Sequence, residues 1–75
     1  MSRAFGRVVR VRREAKGLSQ EKLAERAGIH RTYISSIERG RVRLGLDIAK
    51  KLADGLGTSL SSLIATVEAR SRQKG

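Results

Sequence analysis

Hydrophobic residues recur along this chain at spacings of three and four positions, the period of an amphipathic helix rather than the alternation of a strand. Phe5, Val8 and Val9 begin the pattern on one helical face. Glycines follow the patterned segments, and glycine often ends a helix because it adopts left-handed backbone conformations at little cost. The pattern predicts helices over about residues 4–16, 20–27, 31–39 and 46–56, and a fifth helix capped by Ser59.

The same periodicity predicts the core. The side chains expected to face inward from the second, third and fourth helices are Leu23, Ala24, Ala27, Ile29, Ile34, Ile37, Leu46, Ala49, Leu52, Ala53 and Leu56. Ser19 is the predicted N-cap of the second helix, because its hydroxyl can accept a hydrogen bond from the first turn. We expect residues 1–69 to form one domain and residues 70–75 to be a basic, frayed tail.

Composition excludes several classes of protein. The 75 residues include no cysteine and a single histidine, His30, which excludes a disulfide framework and a Cys/His metal site. No apolar run approaches the roughly 18 residues of a membrane span, and the first residues are basic. We therefore expect no membrane contact, metal, cofactor or small-molecule ligand, and a cytoplasmic location. No nucleophile, base and orienting group stand together, so we expect no enzyme.

Positive charge is concentrated in blocks. Residues 1–16 carry six basic groups against one acid, residues 39–43 carry three arginines, and residues 70–75 carry three basic groups. The remaining segments are close to neutral, within a net charge of +10. A basic patch is the electrostatic signature of a polyanion partner, so we expect the chain to bind double-stranded DNA. A solubilising surface is the alternative explanation.

Residues 19–38 have the features of a helix-turn-helix. Two short predicted helices meet at Gly28, which can take the positive φ that the turn requires. Ala24 lies four residues earlier, and its small side chain allows the two helices to cross closely. Such a pair presents its second helix to the major groove of DNA.

The sequence around this pair resembles the Xre-type helix-turn-helix family, which includes phage repressor and Cro domains. The resemblance covers about residues 3–64, and the shared residues are Arg13, Gly17, Leu18, Ser19, Gln20, Leu23, Ala24, Gly28, Ile34, Ser35, Glu38, Arg39, Gly40, Ala53, Leu56, Gly57 and Leu63. It implies an all-α fold, a compact five-helix, lambda-repressor-like DNA-binding domain with a central helix-turn-helix. Residues 30–35 also resemble the controller proteins of restriction-modification systems. Arg12 departs from the family, which has a large aliphatic residue there.

The resemblance implies roles for individual residues. The predicted base-contacting residues are Arg31, Thr32 and Ser36. The predicted phosphate-binding residues are Ser19, Gln20, His30, Tyr33, Arg39, Arg41 and Arg43. A solvent-facing serine is an equally good interpretation of Ser36, and a plain helix-entry residue is one of His30. Tyr33 can instead brace the backbone or pack beside the core.

The resemblance also implies an internal ion pair between Arg13 and Glu38. We expect a symmetric homodimer on a palindromic operator, because one helix contacts only a few base pairs. Its expected surface consists of apolar residues left exposed on the last two helices, which are Ile48, Leu60, Ile64 and Val67.

The leading hypothesis is a sequence-specific transcription regulator, either repressor or activator. An antitoxin-type interaction module that also binds DNA is a second hypothesis. Nonspecific packaging of nucleic acid is a third, although it would not need the ordered motif.

Overall fold

Five α-helices make up the architecture, as the hydrophobic pattern predicts. The computed structural model describes the backbone of residues 2–74 and the side chains of residues 2–72. The helices are α1 (Ser2–Ala15), α2 (Gln20–Ala27), α3 (Arg31–Glu38), α4 (Leu46–Gly55) and α5 (Leu60–Lys74), and the described residues contain no strand. The fold is therefore all-α, as expected.

The core lies where the helices converge. Helix α2 packs on α3 and α4, while α1 packs on α3 and α5, so α3 is held from two sides. Leu23, Leu52 and Leu63 lie at the centre with no exposed surface. Burying one such side chain stabilises the fold by about 1.5–3 kcal/mol relative to leaving it exposed.

Local sequence signals place the starts of α2 and α3. The hydroxyl of Ser19 accepts a hydrogen bond from the backbone N–H of Lys22 at 3.0 Å, which is the predicted N-cap. His30 caps α3 through its ring, because Nδ1 accepts the backbone N–H of Thr32 at 3.2 Å. Both caps satisfy donors that a helix start otherwise leaves unpaired.

Two predictions about individual side chains are wrong. Leu46 was expected to face inward but is 75% exposed, because it lies in the first turn of α4 and the buried stripe begins only at Ala49. Val67 was expected at a dimer surface but has no exposed area. It follows Leu63 by one turn of α5, on the face that packs against the core.

Most helix ends differ from prediction by a residue or two, as is usual where helix ends are assigned, and the end of α5 differs by about four. Helix α1 begins at Ser2 rather than about residue 4, and α3 ends at Glu38. Helix α5 extends to Lys74, although the sequence predicted an end near Arg70. The division into residues 1–69 and 70–75 stays a prediction. None of the helices in residues 2–74 is long and apolar enough to cross a membrane.

Candidate nucleic-acid interface

The turn between α2 and α3 sets the angle at which α3 leaves the core. Gly28 has a φ of 70°, in the left-handed region, and its backbone N–H bonds back to the end of α2. The next N–H, that of Ile29, donates to the carbonyl of Ala24 at 2.9 Å. These two bonds close α2 with a Schellman-type turn. Ala24 itself is buried, and its small side chain is consistent with a close crossing of the two helices.

Helix α3 has one buried and one exposed face. Ile34 and Ile37 are buried, with 0% and 1% of their surfaces exposed. Arg31 and Thr32 are exposed, and Ser36 is half-buried. The structure therefore brings the three predicted base-contacting residues to the surface of one short helix, although with unequal reach.

Ser35 is a candidate that sequence reasoning did not assign to the interface. At 100° per residue, Ser35 and Arg39 lie opposite the stripe formed by Ile34 and Ile37. Ser35 is half-buried and Arg39 is exposed. The helical period counted from the two isoleucines was the signal that could have identified Ser35.

A hydrogen-bonded network centred on Glu38 joins α1, α2 and α3. Glu38 accepts hydrogen bonds from Arg13 Nε at 2.7 Å and from Arg13 Nη2 at 3.1 Å, so the ion pair implied by the resemblance is present. The Glu38 side chain is 4% exposed and that of Arg13 is 11% exposed. Arg13 also donates to the carbonyl of Leu18 at 2.8 Å. The network ties the start of α2 to the end of α3.

The environment of Arg13 favours its charged form. Its pKa is raised above the ordinary value, chiefly by the hydrogen bond to Glu38, and burial opposes this rise. Attraction to the charges of Glu38 and Glu14 adds to it. The guanidinium therefore stays protonated at any physiological pH.

Gln20 is the third member of the network. Its amide nitrogen donates to Glu38 Oε1 at 3.0 Å. An amide has two N–H donors, so this bond orients the side chain and leaves the second N–H for another acceptor. Gln20 is also the first residue of α2, where backbone N–H groups point outward.

The loop after α3 displays the predicted arginines. Arg39, Arg41 and Arg43 are exposed, whereas Val42 and Leu44 between and after them are half-buried. The alternation of polar and apolar residues thus directs the apolar side chains inward and the arginines into solvent. His30 is exposed, and Tyr33 is half-buried against the core.

A partly apolar surface lies at the start of α4 and the middle of α5. Ile48, Leu60 and Ile64 are half-buried, and Leu46 is exposed. A cavity of about 340 Å³ opens beside them, lined by Ser2, Phe5, Arg43, Leu44, Gly45, Leu46, Ala49 and Ile64. The described residues hold no cluster of three or more His, Cys, Asp or Glu side chains suited to a metal ion.

Comparison with protein families and curated proteins finds similarity over most of the chain. The family model described as helix-turn-helix matches residues 9–63. Control protein C.BamHI of Bacillus amyloliquefaciens is 44% identical over 61 residues, which cover 80% of this chain and 75% of that protein. Control protein C.MunI of a Mycoplasma species is 40% identical, over 85% of this chain and 88% of that protein.

Solved structures of other proteins also superpose on most of this chain. The restriction-modification controller protein C.AhdI from Aeromonas hydrophila superposes with a TM-score of 0.80 at 40% identity, over 83% of this chain and 94% of that one. The wild-type restriction-modification controller protein C.Esp1396I superposes with a TM-score of 0.88 at 28% identity, over 96% and 94%.

Proposed function

This chain belongs to the helix-turn-helix family, and we propose that it is a DNA-binding transcription regulator that controls the genes of a restriction-modification system. The observation that carries the proposal is the geometry of α3. Arg31 and Thr32 are exposed on a helix whose opposite face is anchored in the core. Similarity to several controller proteins supplies the class of regulated gene.

In this function, α3 enters the major groove and contacts base edges. The guanidinium of Arg31 can donate two hydrogen bonds to O6 and N7 of a guanine, worth roughly 1–3 kcal/mol of discrimination. The methyl group of Thr32 can contact the methyl group of a thymine. Ser35 and Ser36 follow one turn later on α3, and their short side chains can contact a base edge that approaches closely.

Phosphate contacts hold α3 in register. The free N–H of Gln20 and the backbone at the start of α2 can bind one phosphate, with Ser19 beside them. Because Nδ1 of His30 accepts a hydrogen bond from the backbone of Thr32, the other ring nitrogen, Nε2, can donate a hydrogen bond to a second phosphate. Arg39, Arg41 and Arg43 bind further phosphates from the other end of α3, and the half-buried Tyr33 can add a hydrogen bond from its hydroxyl.

Dimerisation supplies the rest of the specificity. One α3 covers too few base pairs for a unique site, so two copies related by a two-fold axis bind two half-sites about one helical turn apart. The apolar surface formed by Leu46, Ile48, Leu60 and Ile64 is the proposed contact between copies. Leu46 of this surface is exposed in a single chain and would be covered in the proposed dimer. A DNA partner also fits action in the cytoplasm.

Selection of bound duplexes from a random pool tests the proposal. The expected product is an inverted repeat whose half-sites are one helical turn apart, and sedimentation of the complex should show two chains per duplex. Binding is then competed with random duplex. Equal competition by random and selected DNA would exclude a sequence-specific regulator and favour nonspecific packaging.

A further inference from the structure

Helix α1 carries an exposed row of arginines that no role described above uses. Arg3, Arg7 and Arg10, here called the arginine edge, follow one another at intervals of four and three residues and so share one helical face. All three are exposed. Of these three arginines, only Arg10 has an acidic partner within 4.0 Å among the described residues, and that partner is Glu14 at 3.3 Å.

The backbone of α1 lies directly against the end of α3. A Cβ on Gly6 would overlap the carbonyl oxygen of Ile37 and lie 2.9 Å from that of Glu38. A Cβ on Gly40 would similarly lie 2.9 Å from the Cα of Arg3. Glycine at these positions permits close contact between the backbone of α1 and the backbone at the end of α3.

The two sides of α1 have different neighbours. Arg13 bonds to Glu38 of α3, whereas Arg12 donates to the hydroxyl of Thr66 of α5 at 2.8 Å. Positions 3, 6, 10 and 13 form one stripe by helical spacing, and Gly6 and Arg13 of this stripe contact the end of α3. Arg3 and Arg10 therefore lie on the α3 side of α1.

The arginine edge connects two predicted phosphate-binding regions. At one end, Arg3 adjoins Gly40, which stands between Arg39 and Arg41 of the basic loop. At the other end, Arg10 lies one helical turn before Arg13, which is linked through Glu38 to Gln20 at the start of α2. A DNA strand that contacted both regions would therefore pass beside Arg3 and Arg10, on the α3 side of α1.

We infer that Arg3, Arg7 and Arg10 bind backbone phosphates flanking the groove that α3 enters. The inference rests on the proposed function, because it needs α3 in the groove. Arg3 contributes most, since it adjoins the loop. Arg10 contributes least, because its pairing with Glu14 partly neutralises its charge.

The first experiment measures how binding depends on salt. The double variant Arg3→Gln with Arg7→Gln is compared with Arg70→Gln and Arg72→Gln, which remove the same charge from α5 beyond Thr66. The slope of log affinity against log salt is negative, and each lost phosphate contact lowers its magnitude by about 0.9. The α1 variant should therefore lose one to two contacts' worth of slope, about 0.9–1.8, and the α5 variant none.

The second experiment works in the opposite direction. Glu14→Gln removes the acid beside Arg10 and should strengthen binding by releasing that guanidinium to a phosphate. Glu68→Gln makes the same change of charge on an exposed position of α5 and should leave affinity within twofold. Thermal unfolding of each variant distinguishes a lost contact from a damaged fold.

The outcomes separate this inference from the proposed function. Equal slopes for the α1 and α5 variants would overturn the inference and leave net charge as the cause of any change. Binding is measured with a random-sequence duplex as well as with a selected site. The salt slopes therefore measure the phosphate contacts of the arginine edge even if the chain does not discriminate between sequences. Loss of discrimination in the unsubstituted chain would instead refute the regulator.

Discussion

Residues 17–38, which contain the helix-turn-helix, carry no net charge, whereas residues 39–43 carry three arginines and no acid. In the first region side chains are fixed by caps, by the turn at Gly28 and by the bonds that meet at Glu38. In the second region the arginines stand in solvent. The contrast indicates that the orientation of α3 and the proposed affinity for DNA depend on different residues. A neutral, hydrogen-bonded scaffold orients α3, and in the proposed function the exposed arginines around it supply the attraction to phosphates.

Breaking the scaffold at Glu38 should give the largest effect. Glu38→Gln keeps the shape of the side chain but leaves the guanidinium of Arg13 without its counter-charge in a site where both side chains are nearly buried. Removing one partner of a buried pair costs about 3–5 kcal/mol. We expect a loss near the lower end of that range, about 3 kcal/mol, in the free energy of unfolding measured in urea.

Glu14→Gln is the matched control for this variant. Glu14 is 54% exposed and lies 3.3 Å from Arg10 and 3.9 Å from Arg13, and an exposed acid of this kind contributes only about 0–1 kcal/mol per pair. Similar losses for the two variants would mean that the network at Glu38 is not what holds α3.

The second test disturbs the contact between α1 and α3. Alanine at position 6 would place its Cβ against the Ile37 and Glu38 carbonyls. Helix propensity alone predicts that Gly6→Ala stabilises α1 by roughly 0.5–1 kcal/mol. Overpacking against backbone predicts instead a loss of about 1–3 kcal/mol, together with weaker sequence discrimination because α3 is displaced.

The sign of the Gly6→Ala change in unfolding free energy decides between the two effects. Gly45→Ala serves as control, because a Cβ there meets nothing within 4 Å. Since Gly45 is the N-cap of α4, the control should cost less than about 1 kcal/mol and leave discrimination between duplexes unchanged.

The third test separates base contact from phosphate contact within α3. Arg31→Ala should cost roughly 1–3 kcal/mol of binding to the selected site, concentrated at one base position. Because Arg31 is exposed, unfolding free energy should change by less than about 0.5 kcal/mol. Titrations against single-base variants of the site provide the measurement, and a uniform loss would assign Arg31 to a phosphate.

The smallest effect on sequence choice is expected in the basic loop. Arg41→Gln and Arg43→Gln should each lower the magnitude of the negative slope of log affinity against log salt by about 0.9. The order of preference among duplexes should stay the same, since phosphates carry no sequence information. A changed preference would show that the loop contacts bases and would weaken the contrast between the two regions.

Much of the fold was predictable because its signals are local. The periodicity of Ile34 and Ile37, the hydroxyl of Ser19 before α2 and the glycine at position 28 each act within a few residues of where they stand. The five helices and the helix-turn-helix follow from such signals. The pair between Arg13 and Glu38 was expected only from the resemblance to a family, because its partners are 25 positions apart.

Only the tertiary structure determined which apolar residues are buried and which polar side chains are hydrogen-bonded to one another. Leu46 and Val67 have similar hydrophobicity, yet one is exposed at the start of α4 and the other buried in α5. The amide of Gln20 is hydrogen-bonded to Glu38, and Gly6 allows the backbone at the end of α3 to approach α1 closely. Periodicity fixes the direction in which a side chain points from its own helix. Burial and hydrogen bonding depend on which distant segment arrives there, and only the packing of whole helices determines that.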